Sequence, residues 1–220
     1  MTDTAGFLVQ HGQTLICLGD SITQNPNGYC SLVAALVAAA YPERGIRVLN
    51  AGIGGNKIHD LLARLDRDVL AHHPDWVSVN IGINDVWHGL NTNGVGGVPL
   101  SHYRTGLGML VEQLLEAGAN VVLLPPTVIG EDPGSEGNRR LAGYRAAMRE
   151  VAGARGLLVA PTDIDFDIAL AAGKQADPDY TLTTDGVHMR PAGDAVMALA
   201  LLKTLRFFDG LANRNVLRDR

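Results

Sequence analysis

The chain has 220 residues, 46% of them apolar and 19% charged, with a formal net charge of −5. This is long and apolar enough to bury a substantial core, and it excludes an intrinsically disordered chain. The acidic balance argues against a nucleic-acid or anionic-membrane partner, because either would need a basic stripe. The basic residues are scattered, apart from Arg139-Arg140 and the tail Arg214, Arg218 and Arg220. The longest apolar run, Leu32 to Tyr41, is about half the ~20 residues of a spanning helix. The opening MTDTAGFLVQHGQ has no basic region ahead of a long apolar stretch, so no secretory signal is expected and a cytoplasmic location is. Cys17 and Cys30 are too few for a disulfide framework.

Short apolar runs predict strands at Leu15–Leu18, Arg47–Asn50, Trp76–Ile81, Ala119–Leu124 and Leu157–Ala160. Helical patterns fall between them. Residues 29–40 are nearly apolar all round. Over 57–71, Ile58, Leu61, Leu62, Leu65 and Val69 follow the 3.6 period, and His59, Asp60, Arg64, Asp66, Arg67 and Asp68 are expected on its solvated face. Tyr103, Leu107, Leu110, Val111, Leu114 and Leu115 make another stripe, which Gly118 ends. Leu141, Tyr144, Met148 and Val151 make the next, and Pro191 opens a last helix through Val196, Leu199, Leu202 and Leu205. Five strands alternating with helices predict right-handed βαβ units and a five-stranded parallel sheet covered on both faces. The expected architecture is a single flavodoxin-like, three-layer α/β/α domain over residues 1–220.

Sites in such sheets form at the carboxyl ends of strands. There the sequence places Gly19-Asp20-Ser21-Ile22-Thr23, then Asn50-Ala51-Gly52-Ile53-Gly54-Gly55-Asn56, then Gly82-Ile83-Asn84-Asp85. Asp185-Gly186-Val187-His188 stands just before the last helix. Together these are the parts for acyl transfer. A serine hydroxyl needs a base, and an imidazole titrates in the range suited to that task. Asp185, three residues before His188, can hold Nδ1–H and leave Nε2 facing Ser21. The N–H groups of Ser21 and Gly55 and the amide of Asn84 could meet the oxyanion. Each fragment alone has a bland reading: a turn, a phosphate-cradling glycine loop, a surface Asp-x-x-His. Asp20 is expected to hold its turn. Trp87 and Tyr29 are candidates to stack on a substrate through their flat apolar faces. His72-His73 are adjacent on a helix and share no face, no cluster has zinc spacing, and neither a metal nor a cofactor is expected.

The ordered set resembles the SGNH hydrolases, or GDSL-type esterases and lipases, over roughly residues 14–208. The blocks match as Gly19-Asp20-Ser21, Gly55 within NAGIGGN, Asn84 within GINDV, and Asp185 with His188 within DGVH. The resemblance implies a Ser21–His188–Asp185 hydrolase with Ser21, Gly55 and Asn84 as its oxyanion hole. The stretch from Tyr41 to Trp87 is similar to the acetyl-xylooligosaccharide esterase branch of carbohydrate deacetylases. That implies a small acetylated sugar as substrate, and a homo-oligomer is an open expectation. Two features depart from that branch: the Gly-rich 88–97 segment, and Thr183-Thr184 where the branch tends to carry an aromatic. Two other readings stand beside it: a thioesterase or lysophospholipase for longer chains, and a non-catalytic flavodoxin-like module that holds an anion on Gly52–Gly55.

Overall fold

The computed structural model describes residues 6–90 and 92–211. Asn91 of the Gly-rich segment and the basic tail residues Arg214, Arg218 and Arg220 lie outside them. Five strands, β1 (Thr14–Gly19), β2 (Arg47–Gly52), β3 (Trp76–Asn80), β4 (Asn120–Leu124) and β5 (Leu158–Val159), form an all-parallel sheet in the order β2-β1-β3-β4-β5. The winding reverses between β1 and β3, and that switch point opens a crevice at their carboxyl ends.

The sheet is flanked by α1 (Ser21–Gln24), α2 (Tyr29–Ala40), α3 (Ile58–Asp68), α4 (Ile83–Trp87), α5 (Leu100–Glu116), α6 (Glu136–Arg155), α7 (Thr162–Ala176) and α8 (Pro191–Thr204), and a further helical stretch follows at 207–211. One row packs α2 on α8 and α8 on α7, and the other packs α3 on α5 and α5 on α6. The result is the expected three-layer α/β/α arrangement. β1 and β3 are buried along their whole lengths, as apolar runs in a doubly covered sheet should be.

The differences from the sequence reading are local. α7 was not expected: its apolar positions Phe166 and Leu170 are the only buried ones outside its first turn, and Asp163, Asp165 and Asp167 blur the stripe. α6 begins at Glu136, ahead of its apolar stripe, where the Ser135 side chain accepts a hydrogen bond from the Asn138 N–H. α3 stops at Asp68 and a 3₁₀ turn follows. Of the C-terminal apolar residues Leu205, Phe207, Phe208 and Leu211, Leu205 and Phe207 are buried, and Phe207 meets Phe7 and Tyr41 at ring-centroid distances of 5.4 and 5.3 Å. Those two cap the core, while Phe208 stays 41% exposed.

Candidate active site

β1 ends at Gly19 and the chain turns at once into α1. A Cβ on Gly19 would stand 2.2 Å from Thr23 Oγ1 and 2.6 Å from the Asn80 carbonyl, so only glycine fits this turn. Asp20 caps α1, with Oδ1 accepting from the Ile22 N–H at 3.0 Å. Ser21 is therefore the first helical residue, lifted to the sheet edge beside the crevice.

The loop before α8 delivers the other two groups. His188 Nε2 lies 2.9 Å from Ser21 Oγ, and His188 Nδ1 lies 2.7 Å from Asp185 Oδ2. A carboxylate only accepts, so Nδ1 carries the proton and Nε2 is left to accept from the hydroxyl. Asp185 also builds its own loop, since its Oδ1 accepts from the N–H groups of Val187 at 3.0 Å and His188 at 2.8 Å. Burial alone pushes this carboxyl upward. The bonds from the His188 ring and the two N–H groups outweigh that push and hold it at about 2. Asp185 is thus ionised throughout the neutral range, although its side chain is 47% exposed.

The glycine loop after β2 lies against Ser21. The Ile53 N–H donates to the Gly19 carbonyl at 3.1 Å, and the Gly54 N–H donates to Gln24 Oε1 at 2.8 Å. A Cβ on Gly54 would be 3.8 Å from that of Ser21. Gly55 has φ +76°, a left-handed conformation that favours glycine. Asn84 is 2% exposed in α4, and its Nδ2 donates to the Asn56 carbonyl at 3.1 Å, which leaves the second amide hydrogen unspent. Among the described residues, no protein acceptor takes the Ser21 or Gly55 N–H. The crevice therefore holds a hydroxyl–imidazole–carboxylate chain beside a set of unspent donors. That arrangement can take a proton from the hydroxyl and stabilise a nearby oxyanion.

Two aromatic assignments separate here. Trp87 ends α4 and is 36% exposed, with its ring centroid 6.1 Å from that of His188. Tyr29 is fully buried, and its hydroxyl pairs with Thr23 Oγ1 at 2.9 Å, so it offers no face to a sugar. It shares the inward stripe of α2 with Cys30, Val33 and Val37. Arg64 is a second correction: its side chain is 7% exposed, not part of a solvated face. It sits on the same stripe as Ile58, Leu61 and Leu65, a position that the helical period already marks as inward.

Glu131 was not singled out in the sequence. Its Oε1 accepts three hydrogen bonds, from the N–H groups of Leu182 and Thr183 at 2.8 and 2.7 Å and from Thr183 Oγ1 at 2.6 Å. These clamp the base of the loop that carries Asp185 and His188. Two buried carboxyls lie beneath the site. Burial raises both Asp20 and Asp85 to about 7, and each keeps one oxygen without a partner. An apolar groove of about 470 Å³ runs between α3 and α5, past Ile58, Leu62, Val98, Pro99 and Met109. None of Ser21, Gly55, Asn84, Asp185 and His188 lines it. Among the described residues, no group of three or more His, Cys, Asp or Glu side chains could hold a metal ion, and no helix is long and apolar enough to cross a membrane.

The model of the GDSL-like lipase/acylhydrolase family matches residues 17–196. The chain belongs to that family. It is accordingly a carboxylic ester hydrolase. An acetylxylan esterase of Geobacillus stearothermophilus is 34% identical over 212 residues, which cover 89% of this chain and 95% of that enzyme. The crystal structure of that esterase superposes with a TM-score of 0.81 over 90% of this chain and 96% of its own. An enzyme from the metagenome of Lake Arreo, Spain, described as an α/β hydrolase, gives 0.83 at 30% identity, over 92% of this chain and 99% of that one. An arylesterase of Vibrio mimicus is 30% identical over 121 residues, 52% of this chain and 55% of that enzyme.

Proposed function

We propose that this chain is a single-domain serine esterase that removes short acyl groups, chiefly acetyl, from carbohydrate hydroxyls. The observation that carries this reading is the chain of contacts from Ser21 Oγ to His188 Nε2 at 2.9 Å and from His188 Nδ1 to Asp185 at 2.7 Å. Ser21 Oγ attacks the ester carbonyl while its proton passes to His188 Nε2. The carbonyl oxygen takes the negative charge between the Ser21 and Gly55 N–H groups and the Asn84 amide. Collapse of this intermediate breaks the bond to the sugar oxygen, which leaves with the proton from the imidazolium. Water then attacks the acyl-enzyme, giving its proton to His188. The bond from the acyl carbon to Ser21 Oγ then breaks as His188 returns that proton to Oγ, and acetic acid leaves and ionises to acetate in water. Asp185, ionised down to about pH 2, stabilises the imidazolium at both stages.

Two supports come from relatives. The similar enzyme from Geobacillus stearothermophilus is an acetylxylan esterase, and its variants called catalytic mutants replace a serine, an aspartate and a histidine. The exposed face of Trp87 beside His188 suits a sugar ring, whose C–H face packs on indole. The unpaired, buried cysteines Cys17 and Cys30 fit a cytoplasmic location.

A series of p-nitrophenyl esters from acetate to octanoate, run beside acetylated xylose, tests the substrate. Each buried methylene stabilises by ~0.8 kcal/mol only where apolar wall receives it. The apolar groove between α3 and α5 includes none of the proposed catalytic residues. The expected result is a steep fall in kcat/KM from acetate to octanoate, with acetate released from the sugar. A maximum at octanoate with no release of acetate would replace this reading with a long-chain acyl hydrolase.

A further inference from the structure

Arg64 reaches three chain segments at once. Its Nη2 donates to the Gly19 carbonyl at 2.9 Å and the Ala51 carbonyl at 2.8 Å. Its Nε donates to Asn56 Oδ1 at 2.7 Å, and Nη1 meets Asp68 at 3.1 Å. Gly19 lies two residues before Ser21. Ala51 leads into the glycine loop, and Asn56 directly follows Gly55. The Asn56 carbonyl in turn holds the Asn84 amide at 3.1 Å. One buried guanidinium therefore touches the segments that carry two of the three donors proposed for the oxyanion, and reaches the third through one residue.

We propose that Arg64 is a positioning residue of the oxyanion hole. It sets the spacing of the Ser21 N–H, the Gly55 N–H and the Asn84 amide without touching substrate. This inference rests on the esterase reading above. A planar fork with five donors suits the task, because its bonds to Gly19, Ala51 and Asn56 fix their mutual distances. A lysine offers one small charge and cannot hold the three acceptors in one plane. Taking a cation out of water is costly unless its donors are spent. Here the guanidinium is partnered by two carbonyls, an amide oxygen and a carboxylate. Asp68 stays ionised to balance it, since its hydrogen bond from Arg67, with a further one from Arg64, outweighs burial and holds it at about 2. The hydrogen bonds of Arg64 go to Gly19, Ala51, Asn56 and Asp68 and not to the imidazole, so its removal should leave the Ser21–His188–Asp185 contacts in place.

The test is a double-mutant cycle on p-nitrophenyl acetate, with kcat counted per folded enzyme. Arg64→Lys is expected to lower kcat by roughly 10- to 100-fold, as misplaced donors do, with KM and the midpoint of the pH–rate profile little changed. In an Asn84→Ala background the same substitution should cost less than about a third of that factor, because the hole is already broken. A purely structural arginine would lower the melting temperature but multiply the Asn84→Ala loss in full. Asn56→Ala, which removes one acceptor and leaves Arg64 in place, should also lower kcat by a factor of several and serves if Arg64→Lys does not fold. If Asn84→Ala leaves kcat unchanged, the oxyanion-hole assignment fails and this inference with it. If Asn84→Ala lowers kcat while Arg64→Lys and Asn56→Ala do not, or their losses multiply independently, only the role of Arg64 is overturned.

Discussion

The indole of Trp87 stands edge-on to the imidazole of His188, with ring centroids 6.1 Å apart and planes inclined at 73°. The contact sets Trp87 beside the imidazole that meets Ser21, and 36% of the tryptophan stays exposed. Stacking of this kind contributes ~0.5–1.5 kcal/mol beyond area burial. Trp87→Ala is therefore expected to raise KM for acetylated xylose by about 3- to 10-fold. KM for p-nitrophenyl acetate should rise less. Steady-state kinetics on both substrates check this, and an equal rise for both would assign Trp87 to the acyl side or to packing.

Asp85 carries a pH signature in stability. Burial raises its carboxyl from 3.8 to about 7, opposed by the hydrogen bond from the Ile58 N–H. Below pH ~4 folded and unfolded chains both hold the proton. Between ~4 and ~7 only the folded chain does, so stability falls as pH rises through this window, and the full cost applies above it. Asp20, raised to about 7 by burial, acts with the same sign. Asp185, held at about 2, acts oppositely and only below pH ~4. Asp85→Asn keeps an oxygen for the Ile58 N–H. It is expected to stabilise the protein at pH 8 by on the order of 1–2 kcal/mol and to leave it unchanged at pH 4. Thermal melts of both proteins across pH 4–8 check this. A gain independent of pH would remove Asp85 from the ionisation scheme.

Glu131 ties the segment after β4 to the base of the Asp185–His188 loop. Leu182 and Thr183 are buried, so Glu131→Ala leaves their N–H groups unsatisfied, at a cost of roughly 2–3 kcal/mol. Glu131→Gln keeps an accepting oxygen and should recover most of that stability. Urea unfolding measures both, and a loss below ~0.5 kcal/mol for the alanine variant would show that the clamp contributes little.

Much of this was legible in the sequence because the chemistry sits where periodicities break. The strand ending at Gly19 reads as a short apolar run followed by glycine, and Ser21 stands two residues on. Ser21 stands at the carboxyl end of β1, where the sheet rule places sites, and the loop before α8 brings His188 and Asp185 to it. What escaped notice acts through long-range contacts. Arg64 has the composition of a surface residue and only its place between Leu61 and Leu65 points inward. Glu131 is one acid in a polar loop, and its partners at Leu182 and Thr183 are 51 and 52 residues away. Tyr29 failed as a sugar platform because it lies on the inward stripe of α2 with Cys30, Val33 and Val37, which buries its ring.

The account stands on Ser21 as the nucleophile, and the kcat of Ser21→Ala on p-nitrophenyl acetate tests that most directly. Among the described residues, the hydroxyl's hydrogen-bond partner is His188 Nε2, so its loss should leave the fold and its circular dichroism intact. Removing the nucleophile of such a triad closes the covalent route, and the predicted fall in kcat is roughly 10⁴-fold or more. Retention of more than about a tenth of the wild-type rate would contradict the account, because the barrier would then have changed by less than ~1.4 kcal/mol.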